Sequence, residues 1–220
     1  MSWVERAADR SPIVQRSRSR GMQQARAIVD AASRLVMTNG SGFTTQELVK
    51  EAGVALQTFY RYFASKDQLL LAVLEDMIGR SCLDYDKKAR RLTGPVERLH
   101  FYVNTILAFA WTGGAERSTQ QFITAEHWRL QRLYPEEIAE AIRPVVELIL
   151  REVQAGVEAG LFQSTNPDYD AWLITQLLMG VYHHYAFAPI DQAGEEIAPR
   201  VWTFCLSALG GPARPAPLSS

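Results

Sequence analysis

The 220 residues suffice for one large domain or two small ones, and 47% hydrophobic with 21% charged residues is ordinary for a soluble globular chain. Two cysteines, Cys82 and Cys205, are too few and too far apart for a disulfide framework or a zinc site, which points to a reduced cytoplasm. The net charge of −1 hides an asymmetry: residues 1–66 carry ten Lys/Arg against five Asp/Glu, and residues 67–220 carry thirteen against nineteen. A basic third on a mildly acidic body is the distribution expected of a nucleic-acid-binding head on a separate body.

In chain order, residues 1–10 already hold Glu5, Arg6, Asp9 and Arg10, so no secretory signal is expected. Residues 1–20 lack hydrophobic periodicity and close on Arg16, Arg18 and Arg20. They read as a flexible basic arm, either reaching DNA or merely solubilising the chain. From Gly21, Ala25, Ile28, Ala32, Leu35 and Val36 recur at helical spacing, and Asn39-Gly40 supplies a stop. Thr44 and Glu47 have the spacing of a capping box, so a second helix starts there; Gly53 ends it after about two turns. A third helical run, 56–63, follows at once, and two short helices joined by a tight glycine turn describe a helix-turn-helix. Ser65 with Gln68 forms another capping pair and opens a fourth helix.

Beyond it every segment reads as helix. Pro95 opens a run that gives way at Gly113-Gly114, and "STQQFITAEHWRL" follows. Pro135 begins a long helix with Pro144 inside it, Asn166-Pro167 starts another, and the last spans about 194–209. Residues 171–190 lack formal charge over a bilayer-spanning length, but Thr175, Gln176, two histidines and Pro189 favour a buried helix over a membrane span. Strand alternation is absent. The expectation is an all-α protein of about nine helices, organised as an arm (1–20), a helix-turn-helix domain (21–66), a larger ligand-binding and dimerisation domain (67–210) and a disordered tail (211–220).

Within "ALQTFYRYF", Phe59 and Phe63 form an apolar face for the core. Gln57, Thr58, Arg61 and one of Tyr60 or Tyr62 point elsewhere. The second helix of such a motif lies in the major groove with its early residues on base edges. There Gln57 suits adenine, Arg61 guanine and the Thr58 methyl thymine, while tyrosine hydroxyls and Lys66 suit phosphates.

These residues carry a resemblance. "GFTTQELVKEAGVALQTFYRYFASKDQLL", residues 42–70, resembles the DNA-binding domain of the tetracycline-repressor (TetR) family of bacterial regulators in its aromatic-Thr-Thr entry, "EAGV" turn, "TFYRYF" helix and "SKDQLL" start. The likeness is tight over about fifty residues; the other two thirds match only in helix count and order. It implies a homodimer on a palindromic double-stranded DNA operator, relieved by a small molecule bound in the C-terminal body. It also implies DNA contacts from Thr45, Ala55, Leu56, Gln57, Thr58, Tyr60, Arg61, Tyr62 and Lys66. Ala55 departs from the serine common at that cap, and Leu56 stands where a basic or small polar residue is usual.

The body's aromatics, Phe101, Phe109, Trp111, Phe122, Trp128, Trp172 and Tyr182, suit an apolar pocket for a bulky hydrophobic ligand, with His127 and His183 as polar contacts; core packing is the competing reading for each. His183 and His184 point about 100° apart on a helix and cannot readily share a metal, so neither metal nor cofactor is expected. The last two long helices are apolar on several sides, and Trp172, Leu177, Val181, Val201, Trp202 and Cys205 are the expected dimer interface. The resulting reading is a DNA-binding repressor released by a hydrophobic effector. The alternatives are an activator or a regulator answering to a protein partner. An enzyme is the remote one, because no nucleophile–base pair, phosphate loop or metal cluster stands at recognisable spacing.

Overall fold

The computed structural model describes residues 12–108, 115–188 and 193–211. They form nine α-helices and no strand: α1 (Pro12–Asn39), α2 (Thr45–Ala52), α3 (Leu56–Tyr62), α4 (Lys66–Ala89), α5 (Pro95–Ala108), α6 (Ala115–Gln131), α7 (Pro135–Glu158), α8 (Pro167–Phe187) and α9 (Ala193–Ala208). The chain divides into two compact units between Val73 and Leu74, inside α4.

In the first unit the local signals act as the sequence spells them. The Thr44 hydroxyl accepts from the Glu47 N–H at 3.2 Å while the Glu47 carboxylate accepts from the Thr44 N–H at 2.7 Å, a complete capping box. Gly53 closes α2 at φ 65°, a left-handed backbone that a side chain would strain. α2 packs on α1 and on α3, and Phe43, Leu48, Phe59, Leu69 and Val73 are buried in this unit. Ser65 accepts from the Gln68 N–H at 3.2 Å, and the Gln68 side chain accepts from the Ala64 N–H at 2.9 Å.

One expectation is corrected here. The basic segment is helical from Pro12, so Arg16, Arg18 and Arg20 belong to the first turns of α1 and not to a flexible arm. Proline at the first helical position is pre-set for helix, and arginine is itself a good helix former. Residues 1–11, like the expected disordered tail beyond 211, lie outside the described residues.

The second unit buries two clusters. Leu99, Val103 and Leu107 of α5, Ile149 and Val153 of α7, Ile174 and Leu178 of α8, and Val201, Trp202 and Cys205 of α9 form the larger. Cys82, Ala89, Tyr102 and Leu148 form the smaller. At the end of α7 the chain folds back tightly: a Cβ on Gly156 would meet the Phe162 ring at 2.1 Å, so only glycine fits. No helix among the described residues is long and apolar enough to cross a membrane.

Candidate nucleic-acid interface and effector cavity

α3 has two faces. Phe59 is fully buried, stacks on Phe63 at 6.0 Å and meets Tyr60 edge-on at 4.9 Å, anchoring the helix. Ala55, Leu56, Gln57, Tyr60 and Arg61 are exposed, and Thr58 is half-buried. Ala55 caps α3 without a side-chain hydrogen bond, as its methyl dictates. Thr45 stands half-buried at the start of α2.

Three of the expected contacts are engaged within the unit. Arg61 donates to Gln24 on α1 at 2.8 Å and lies 5.0 Å from the centre of the Tyr62 ring. The Tyr62 hydroxyl donates to the same Gln24 oxygen at 2.9 Å. Arg16, Arg20, Gln24, Arg61 and Tyr62 thereby border one hollow, with three guanidinium-bearing residues around it. The helical state of residues 12–20 puts Arg16 and Arg20 there, one turn apart, a placement that a flexible arm would not give.

Lys66 departs further from expectation. Its ammonium donates to the carbonyls of Ser41 and Phe43 and sits 4.4 Å above the Phe43 ring. A cation so placed ties the start of α4 to the turn before α2, and it is not extended toward a phosphate. Lys66→Met is expected to lower stability by about 1–2 kcal/mol in urea titration, through loss of charged hydrogen bonds. The salt dependence of DNA affinity should stay as it was. A slope shallower by about 0.9 in log–log form would restore Lys66 as a phosphate contact.

The second unit contains a cavity of about 320 Å3. α4 lines it with Met77, Ile78, Arg80, Ser81, Cys82 and Tyr85, and α8 with Leu178, Met179, Tyr182 and His183. Ile106 of α5, Thr119 and Ile123 of α6, and Ile142 and Val145 of α7 complete the wall. Burial pushes the Cys82 thiol up to about 12 and raises the Tyr85 and Tyr182 phenols, so these groups are neutral near pH 7 and the cavity favours uncharged, apolar matter.

Of the residues expected around a ligand, Tyr182 and His183 line this cavity. His127 does not line it but lies 4.8 Å from His183, ring centre to ring centre. Phe122 is buried away from the cavity wall, and Phe101 packs beside Cys82 and Tyr102. Trp128 and Trp172 are exposed. Phe109 and Trp111 lie outside the described residues. The contribution of α4 escapes a reading of the sequence, although Met77, Ser81 and Tyr85 recur at i, i+4 and i+8: a mixed, mid-sized stripe reads as core.

The expected interface also changes. Val201, Trp202 and Cys205 point inward and belong to the chain's own core. A second set points outward on α8 and α9: Tyr169, Trp172, Leu173, Phe187 and Phe204. Tyr169 and Trp172 stack at 5.6 Å. Among the described residues no group of three or more metal-ligating side chains occurs.

Residues 28–73 match the family model for bacterial regulatory proteins, tetR family. The chain is 29% identical over 182 residues to the HTH-type transcriptional regulator BetI of Agrobacterium fabrum, a match covering 79% of this chain and 84% of that one. It is 34% identical over 82 residues to BetI of Rhizobium meliloti, over 36% of this chain and 40% of the relative. A crystal structure of RolR in complex with the ligand resorcinol superposes with a TM-score of 0.70 at 19% identity, covering 92% of this chain and 99% of the other.

Proposed function

We propose that this chain, which belongs to the TetR family of bacterial regulatory proteins and is a helix-turn-helix transcriptional regulator, works in the cytoplasm as a homodimeric repressor released from a palindromic operator by a hydrophobic small molecule. The observation that carries the DNA half is α3 itself: one fully buried phenylalanine fixes the helix, and Gln57, Tyr60 and Arg61 face solvent beside it. Gln57 is the specific reader, since its amide can pair with both major-groove atoms of adenine. Thr45, Ala55, Leu56, Thr58 and Tyr62 flank it on the same docking surface. Arg16 and Arg20 supply charge for phosphates beside Arg61.

The apolar cavity supports the effector half. RolR, similar in fold, is described with resorcinol bound, and FadR from Bacillus subtilis, at TM-score 0.57 and 17% identity, with stearoyl-CoA. A cavity lined by isoleucine, methionine and tyrosine fits a ligand that is mostly apolar. α4 carries Lys66 in its first turn and Met77, Ser81 and Tyr85 on the cavity wall. A ligand that prefers a shifted α4 moves the equilibrium toward the arrangement that grips DNA poorly.

Fluorescence anisotropy on duplex DNA from immediately upstream of the protein's own coding region tests the reading. Wild-type protein should bind at modest salt, and Gln57→Ala should weaken binding by about 1–3 kcal/mol at unchanged salt slope, the mark of a base contact. Equal affinity for that duplex and for unrelated DNA would remove the operator from the account.

A further inference from the structure

α6 carries Arg117, Gln120, Thr124 and His127 at i, i+3, i+7 and i+10, a single stripe that is polar along its whole length. It is buried where it meets α8: Gln120 is 0% exposed, Thr124 3% and, across from them, His183 8%. Gln120 reaches α8 by donating to the Tyr182 carbonyl at 3.4 Å. One amino group of Arg117 donates to the Ala188 carbonyl.

Six further buried polar atoms of this seam have no hydrogen-bond partner among the described residues. They are the second amino group of Arg117, Gln120 Oε1, Thr124 Oγ1, both nitrogens of His127, and His183 Nε2. Each unpaired buried polar atom costs free energy comparable to a lost hydrogen bond, and native structures leave few of them. Six along one seam mark a place built for something else to bond. His183 connects the seam to the cavity, because it lines the cavity wall and its ring lies 4.8 Å from that of His127, tilted by 38°.

We propose that the effector is amphipathic and uncharged: its apolar body lies among Met77, Ile78, Ile106, Ile123 and Leu178, and a hydroxyl end is received by His183 and, through it, by the polar stripe of α6. This rests on the effector reading above. A hydroxyl is chosen over a carboxylate by the donor and acceptor inventory. Neutral imidazoles offer one donor and one acceptor each, a threonine hydroxyl offers both, and Gln120 leaves an acceptor open. A carboxylate can only accept and would face that acceptor.

Charge argues the same way. Burial, aided by the neighbouring His127, lowers His183 to about 4, and burial lowers His127, so both rings are neutral near pH 7. Two of the charges near by are paired. Arg80 at the cavity is paired with Asp76 at 2.8 Å, and buried Glu126 is held by Arg129 at 2.8 Å. Arg117 keeps one amino group unpaired beside its bond to the Ala188 carbonyl, but it stands ten positions before His127, about 15 Å along the helix at 1.5 Å per residue.

Isothermal titration calorimetry on the full-length protein tests this with three probes that share one body: butylbenzene, 4-butylphenol and 4-butylbenzoate. The phenol should bind at least about tenfold more tightly than the other two, the difference a satisfied buried hydrogen bond makes. In His183→Phe the ratio of phenol to butylbenzene affinity should fall from about tenfold to below about threefold, a ratio read within one variant so that a changed wall bears on both probes alike. The three-probe series on wild-type protein remains decisive even where the variant fails to fold. Equal binding of phenol and hydrocarbon, or tightest binding of the benzoate, overturns the hydroxyl assignment and leaves the apolar effector reading standing. Binding of none of the three overturns both.

Discussion

Leu173→Asp combined with Phe204→Asp should sediment as a monomer, where the unsubstituted chain is expected to sediment as the proposed dimer, and should lower affinity for a two-half-site operator by about 10²–10⁴-fold, the factor lost when two linked heads bind singly. The expectation follows from where α8 and α9 turn their side chains. Tyr169, Trp172, Leu173, Gln176, Gly180, His184 and Phe187 fall on one stripe of α8, and all of them are exposed. Phe204 on α9 is 65% exposed, the rings of Tyr169 and Trp172 are stacked against each other, and Gly180 has open space where a side chain would begin. Two tryptophan- and phenylalanine-bearing helices with an exposed apolar side are costly in water, and a twofold partner presenting the same side removes that cost. The substitutions lie outside the core clusters, so helix content should change little, while melting should fall by the stabilisation that the partner supplies. A double variant that still sediments as a dimer would place the interface elsewhere.

The two faces of α9 show how far the sequence can be read. Trp202, Cys205 and Phe204 are all apolar and lie within three positions of one another. Hydrophobicity announces that α9 is buried on more than one side but cannot say which side its own chain covers. Pattern alone assigns Trp202 and Cys205 to the partner, whereas they close the core against α5 and α8. The head is far more legible, because its determinants are local. A capping box needs two residues three apart, and a left-handed stop needs one glycine; both are visible without knowing any tertiary contact. Lys66 marks the limit of that legibility. Its position at the head of α4 is plain, but a four-carbon stem lets its ammonium reach either a phosphate or a backbone carbonyl. The cavity is the least legible part. Its wall gathers residues from five helices, and no single stretch carries a signature of it.

Glu152→Ala should cost about 2–3 kcal/mol in stability, since it removes the buried common partner of two partly exposed guanidiniums. Glu152 is 1% exposed and accepts from Arg98 at 2.7 Å and from Arg151 at 2.8 Å. Arg151 also donates to Asp86 at 2.6 Å and to the Tyr102 hydroxyl at 2.7 Å, so α4, α5 and α7 meet in one network. Burial alone would raise the Asp86 carboxyl, but hydrogen bonds from Arg90 and Arg151 outweigh it and hold it below the ordinary value. A carboxyl lowered in the folded state binds its proton less readily there than in the unfolded chain. Its contribution is therefore present at neutral pH and fades as pH falls through the lowered value. Removing Glu152 leaves Arg98 a carbonyl, that of Leu92, and leaves Arg151 still on Asp86. The variant should lose stability at pH 7 yet keep the acid decline contributed by Asp86. In a chain of this size the cost corresponds to roughly 2–4 °C of melting temperature per kcal/mol. Urea titration of Glu152→Ala beside Glu152→Gln separates lost charge from lost packing, because glutamine keeps the volume and an acceptor. A cost below about 1 kcal/mol for the alanine variant would mean that the guanidiniums are solvated and the network contributes no more than a surface ion pair.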